Sequence, residues 1–238
     1  MKWIFWNESR KSDPVSIHPR SLDGLSQLQS LRMGPITLIT QGLSRQFFHG
    51  VTSLKQLHIR GILKSIEADT FIDNRRMQTL DLSNCHLTHL SMDALQGLNK
   101  LRLLDLSHNQ LYEILPGLFD PLHSLKELWL NGNQLMTLPS SIFKPILSVA
   151  KLIRLEDNPW HCTCQLNQLR PTSVNKIKQT LPLSSDRSSV FVYDQRVTPR
   201  CQTPPQAQGY AVFDVLRRQL KCNKKKQLQA ASIRNHSQ

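Results

Sequence analysis

Apolar residues return along this chain at a long, regular interval. From Leu101 the pattern reads Leu101, Leu104, Leu106, Asn109 and Leu111, then Ile114, Leu118, Phe119 and Leu122. The next copy places Leu125, Leu128, Leu130, Asn133, Leu135, Leu138 and Phe143 in the same slots, and the copy before it uses Met77, Leu80, Leu82, Cys85, Leu87, Leu90 and Leu95. Earlier copies are less regular. Leu54, Leu57, Ile59, Ile66 and Phe71 fit with one residue deleted, and Leu28, Leu31, Met33 and Leu38 fit with two inserted. A terminal copy reads Ala150, Ile153, Leu155 and Asn158, so copies starting at 28, 54, 77, 101, 125 and 150 are spaced by 26, 23, 24, 24 and 25 residues. Self-similarity at such a period predicts a solenoid, in which each coil buries its apolar side against its neighbours and the ends need caps.

Each copy also predicts its own local structure. The fourth and sixth slots alternate with polar residues, which is the pattern of a short strand that points its leucines inward and stacks in parallel on the next copy. Asn109, Asn133 and Asn158 follow at the turn, where a side-chain amide can satisfy backbone groups of neighbouring coils. The later Leu and Phe slots close the convex side. This LxxLxLxxNxL pattern resembles the leucine-rich repeat family, and the resemblance covers roughly residues 17 to 222. It implies an α/β solenoid with a curved parallel sheet of about six repeats, placed at residues 17–157.

The first 16 residues form an atypical N-terminal segment in which the four apolar residues Trp3 to Trp6 fall short of a secretory signal core. Ile17, Leu22 and Leu25 resemble the tail of a further repeat whose strand half is missing, so the first coil is expected to present an exposed apolar end. On this reading the chain is an N-terminally truncated or alternatively started form of a secreted or surface protein. No run of 18 apolar residues predicts a transmembrane helix.

The cysteines stand at 85, 162, 164, 201 and 222. Four follow the last repeat, in Asn158-Pro-Trp-His-Cys162-Thr-Cys164, then Cys201-Gln-Thr-Pro-Pro, then a stretch from Gly209 to Cys222. This spacing resembles the C-terminal flanking cap of extracellular leucine-rich repeat proteins. The resemblance implies disulfides Cys162–Cys201 and Cys164–Cys222 in a cap over residues 158–222, although four cysteines allow three pairings. Trp160 is then expected over the last coil, with Val212, Phe213, Leu216 and Leu220 packed beneath it at helical spacing. The rival reading of four cysteines is a zinc site, but the paired CxxC knuckles are lacking. Cys85 occupies an Asn slot and reads as a buried free thiol. The 36 residues between Cys164 and Cys201 are longer than expected for such a cap, which predicts a basic inserted loop near 170–200.

Charge enters here, because it is unevenly placed. Of 238 residues, 30 are Lys or Arg and 17 Asp or Glu, a formal net charge of +13. Residues 165–238 hold 13 basic and 3 acidic side chains, so most of the excess lies in the cap and a basic tail at 223–238. Arg217, Arg218, Lys221, Lys224, Lys225 and Lys226 are candidate contacts for heparan sulfate or another polyanion. No finger, basic zipper or RNP-like pattern accompanies the charge, which disfavours nucleic acid. Asn7 and Asn235 head formal glycosylation acceptors.

The outward positions of the strands are the remaining candidates. The fifth slot reads Arg32, His58, Asp81, Asp105, Trp129, Arg154, and the seventh and eighth slots include Arg60, Ser83, Ser107, His108, Asn131 and Glu156. His58, Asp81, Asp105, Trp129 and Arg154 are the candidate ligand contacts, with Trp129 as an interface anchor and the neighbouring carboxylates of Asp81 and Asp105 suited to a cationic partner. No catalytic signature, Gly-rich phosphate loop or metal motif is present. The expectation is a non-enzymatic, secreted or extracellular binding module without cofactor, a matrix, adhesion or signalling modulator that holds a protein ligand on its concave face. The alternative is a truncated isoform or fragment without independent binding activity.

Overall fold

The computed structural model describes residues 3–7, 18–38, 42–139, 142–164, 166 and 198–216. In chain order the strands are β1 (Trp3–Asn7), β2 (Ser30–Leu38), β3 (Gln56–Leu63), β4 (Ser65–Ile66), β5 (Thr79–Asp81), β6 (His89–Leu90), β7 (Leu103–Asp105), β8 (Glu127–Trp129), β9 (Leu152–Arg154), β10 (Trp160–His161) and β11 (Cys201–Thr203). Seven of them build one parallel sheet in the order β1-β2-β3-β5-β7-β8-β9. This is a solenoid of stacked parallel strands, the architecture that the resemblance implies. The register is set by the inward leucines: Leu31 pairs with Leu57, Leu57 with Leu80, Leu80 with Leu104, Leu104 with Leu128 and Leu128 with Ile153. A slip of one residue would turn that whole row outward, which is why the apolar pattern holds the stacking in place.

The core is a continuous apolar column. Leu80, Leu82, Leu104, Leu106, Leu128 and Leu130 are fully buried, and on the convex side Phe48 and Phe71 meet with ring centroids 5.5 Å apart. β4 and β6 form a second, two-stranded parallel pair that links the two coils away from the main sheet.

Two features explain the irregular early copies. The one residue deleted from the Leu54 copy falls between Ile59 and Leu63, and there the register of β2 on β3 shifts from Met33↔Ile59 to Ile36↔Gly61. There a Cβ on Gly34 would meet the Arg60 side chain at 2.8 Å, so the backbones approach as only glycine permits. The strand half expected to be missing from the first repeat is present: β1 pairs with β2 over five residues, from Trp3↔Ser30 to Asn7↔Gly34. The run from Trp3 to Trp6 that looked atypical is a rung of the sheet, with aromatic and β-branched residues in place of leucine.

The turns after the strands rest on the asparagine ladder. The Asn109 amide donates to the carbonyls of Leu82, Leu106 and Ser107 and accepts from the backbone N–H of Cys85 and Leu87. Asn133 and Asn158 repeat this one and two coils later, accepting from Leu111 and Leu135. The residue before each ladder position adopts positive φ: Asn84, His108, Gly132 and Asp157 at 55°, 54°, 67° and 56°. Asn, Asp, His and Gly are the residues that tolerate that region. Cys85 takes the amide's place in its own coil. It is free and buried, with its thiol donating to the Ile59 carbonyl at 3.2 Å, and burial pushes its pKa up to about 12.

After the last coil, Trp160 has no exposed surface and donates its indole N–H to the Leu155 carbonyl at 2.9 Å. β10 pairs with β11, and Cys162 is disulfide-bonded to Cys201. That bond removes the zinc reading, since an oxidised cysteine is not a thiolate ligand. Cys164 is also disulfide-bonded; the Cys164–Cys222 pairing reaches outside the described residues through Cys222. A short helical turn, Val212–Asp214, brings Val212, Val215 and Leu216 into the core, with Phe213 packed against it. Leu220 lies outside the described residues. No helix among the described residues is long and apolar enough to cross a membrane.

Candidate functional site: the concave ladder

The fifth-slot residues form one continuous row across the concave face. Arg32 pairs in register with His58, His58 with Asp81, Asp81 with Asp105, Asp105 with Trp129 and Trp129 with Arg154. The row is placed by alternation: these positions flank the inward leucines and therefore stand on the opposite face of each strand. The side chains then divide it into two chemically different halves.

In the first half the carboxylates of Asp81 and Asp105 are hydrogen-bonded within the chain. Asp81 Oδ1 accepts from Ser83 N–H, Ser83 Oγ and Arg60 Nη1, at 3.1, 3.0 and 2.7 Å. Its Oδ2 accepts from Arg60 Nη2 at 2.8 Å and faces His58 Nδ1 at 3.2 Å. Burial alone would raise its pKa, but the hydrogen bonds from Arg60, Ser83 and His58 outweigh it and hold the carboxyl at about 2. Asp105 is buried, and its Oδ1 accepts from the Ser107 backbone N–H and hydroxyl at 2.9 and 2.6 Å. The expectation that these two carboxylates stand ready for a cation therefore needs revision at Asp81. Both of its oxygens are occupied, and the Arg60 guanidinium already supplies the counter-charge.

This arrangement has a measurable pH signature. A carboxyl held at about 2 against an ordinary 3.8 contributes stability that is fully present above pH 4. It is lost as pH falls from about 4 through 2, and its size is about 2 kcal/mol. Urea unfolding of the chain and of Asp81→Asn should show a stability gap at pH 6 that closes by about that amount at pH 2. A gap that does not change with pH would show that Asp81 is not ion-paired in solution.

The second half is built differently. Trp129 is half-buried, and the Arg154 guanidinium lies over its ring, 5.1 Å from the centroid. Arg154 Nε donates to Glu156 Oε1 at 2.6 Å and its Nη2 pairs with the same oxygen. Asn131 occupies the slot that Ser83 and Ser107 hold in earlier coils, but the residue two before it is Trp129, so no carboxylate takes it up. Its amide faces His108 Nε2 at 3.4 Å instead. Arg60, Asn131 and Glu156 belong to this surface as much as the five fifth-slot candidates do. The signal that separates them lies in the sequence, as Asp-x-Ser in the self-satisfied coils against Trp-x-Asn and Arg-x-Glu in the others.

Among the described residues no group of three or more His, Cys, Asp and Glu side chains could hold a metal ion. The polyanion candidates Arg217, Arg218, Lys221, Lys224, Lys225 and Lys226, and the acceptor Asn235, lie outside the described residues. Asn7 is placed by its backbone alone, as the last residue of β1.

No curated protein matches the chain. The family model described as "Leucine rich repeat" matches residues 60–111 and 75–135, the coils in which the pattern is most complete. Such folds generally mediate protein–protein binding. The matched coils and the parallel solenoid together support a leucine-rich repeat protein.

Proposed function

We propose that this chain is an extracellular protein-binding module, a matrix, adhesion or signalling modulator, that holds a protein ligand on its concave face around Trp129 and Arg154. The observation that carries the reading is the single register row in which a large aromatic and a guanidinium stand on adjacent rungs, two rungs and more from the carboxylate, Asp81, that Arg60 neutralises. A half-buried tryptophan with an arginine laid on it has the composition of an interface hot spot, where rigid apolar area is combined with directional polar groups. His58, Asp81 and Asp105 act in this reading as the preorganised flank that sets orientation. The extracellular placement rests on the Cys162–Cys201 disulfide, since such bonds persist in oxidising compartments.

The binding reading is tested with a photo-crosslinking phenylalanine derivative at position 129, compared with the same group at Asn99, an exposed position in the turn that precedes β7. One protein captured from position 129 alone should bind the purified chain. Trp129→Ala should then weaken that pairwise affinity at least about tenfold. Equal capture from both positions, or an unchanged affinity, would remove the concave face from the proposal. For the compartment, alkylation with mass mapping of protein secreted without reductant should leave four cysteines protected and Cys85 reactive only after denaturation. Five reactive thiols would place the chain in a reducing compartment.

A further inference from the structure

Four buried side-chain polar atoms among the described residues have no hydrogen-bond partner: Asn74 Oδ1, Trp129 Nε1, Asn131 Oδ1 and Glu156 Oε2. Three of them share one place. Trp129 and Asn131 are two residues apart on the outward side of β8 and its exit, and Glu156 follows two residues after Arg154, the register partner of Trp129. The Gly132 N–H donates to the Glu156 carbonyl at 3.0 Å, which sets Asn131 and Glu156 on neighbouring rungs. Asn131 is 3% exposed and Glu156 4%. Buried polar atoms left unpaired each cost stability, and several on one outward face mark a surface shaped for something else. The corresponding slots in earlier coils, Ser83 and Ser107, are satisfied within the chain.

Resting on the concave-face reading above, we infer that Trp129 Nε1, Asn131 Oδ1 and Glu156 Oε2 form a notch for a primary carboxamide, the Asn or Gln side chain of the protein partner. The three atoms are one donor and two acceptors, so a matching guest needs one acceptor and two N–H groups, which is the inventory of a carboxamide. An ammonium or guanidinium donates only, leaves the indole N–H unpaired and stands beside Arg154. A carboxylate accepts only and faces Glu156. A hydroxyl offers one donor to two acceptors.

Charge favours a neutral guest as well, because Arg154 already neutralises Glu156 through Oε1. The chain also holds the notch in shape. Arg154 covers the indole, and His108 takes the nitrogen end of the Asn131 amide, which leaves Oδ1 buried and without a partner. A Cβ on Gly132 would come within 2.5 Å of His108 Nδ1, so glycine makes room for that ring.

Acetamide is the probe. In proton–nitrogen spectra of the full chain, the Trp129 indole resonance, identified by its loss in Trp129→Phe, should shift saturably with a Kd on the order of 10 mM, a value suited to a four-atom fragment. Asn131→Ala gives up the contact with His108 Nε2 together with the unpartnered oxygen, so it should stay folded with a small loss of stability while weakening acetamide at least fivefold. Acetate, methylammonium and N,N-dimethylacetamide should give no saturable shift. The inference is overturned by the absence of saturation with acetamide, by equal shifts from methylammonium or dimethylacetamide, or by a folded Asn131→Ala that binds as well. A partner captured at position 129 that tolerates replacement of its contacting Asn and Gln residues would retain the concave face and remove the carboxamide. Acetamide saturation without any capture would do the reverse.

Discussion

Asn109→Ala is expected to destabilise the solenoid by about 4 kcal/mol, the largest effect of any polar substitution in the repeats. The side chain is 5% exposed and serves five backbone groups on two coils. Without it the N–H groups of Cys85 and Leu87 lose the acceptor that they use, and the Leu82 carbonyl loses a donor. The Leu106 carbonyl is better protected, because Asn133 donates to it as well. Three buried groups left unpaired at about 1–3 kcal/mol each, reduced by local relaxation, give the figure. Urea unfolding followed by circular dichroism would read it. Hydrogen exchange should show faster opening at Cys85 and Leu87 than at Leu135, further along the array. A loss under about 1 kcal/mol would mean that the turns hold without the ladder.

Trp160→Ala is expected to cost about 3–5 kcal/mol, through a different mechanism. The indole is wholly buried beside the last coil, and the substitution removes both its volume and the bond to the Leu155 carbonyl. In a solenoid each coil is stabilised by its neighbours, so opening this end exposes the apolar side of the Leu152–Asn158 coil and lets the array fray from there. Trp160→Phe keeps most of the apolar contact and should lose about 1–2 kcal/mol. Trp129→Ala provides the contrast. That ring is half-buried under one guanidinium, and its removal should cost about 1 kcal/mol or less. Parallel urea titrations of the three variants would separate the tryptophan that holds the fold from the one that faces a partner. Equal losses for Trp160→Ala and Trp129→Ala would erase the distinction.

Much of this was legible in the residue order. The stacking of the sheet follows from the apolar spacing, because Leu80, Leu104 and Leu128 can be buried together only in one register. The bonding role of Asn109, Asn133 and Asn158 follows from what a buried turn requires. The fifth-slot row could be written down residue by residue, since alternation along a short strand fixes which face each residue takes. Even the left-handed turns are signalled, by the choice of Asn84, His108, Gly132 and Asp157 before the ladder slot. The first strand was not legible. Trp3 to Asn7 carries no leucine pattern, and its place in the sheet comes from pairing with β2, a contact between residues 27 apart that no local spacing encodes.

The candidate site divides in the same way. Which side chains share the concave face follows from residue order, because it depends on periodicity alone. Which of them are free to meet a partner was decided by tertiary structure. Asp81 and Glu156 are both carboxylates at outward positions, yet Arg60, Ser83 and His58 occupy both oxygens of the first, while Arg154 takes a single oxygen of the second. That difference depends on where long, flexible side chains from neighbouring coils come to rest. Side-chain hydrogen bonds across rungs form only after the coils have stacked, so the satisfied and unsatisfied atoms of this surface are properties of the assembled solenoid.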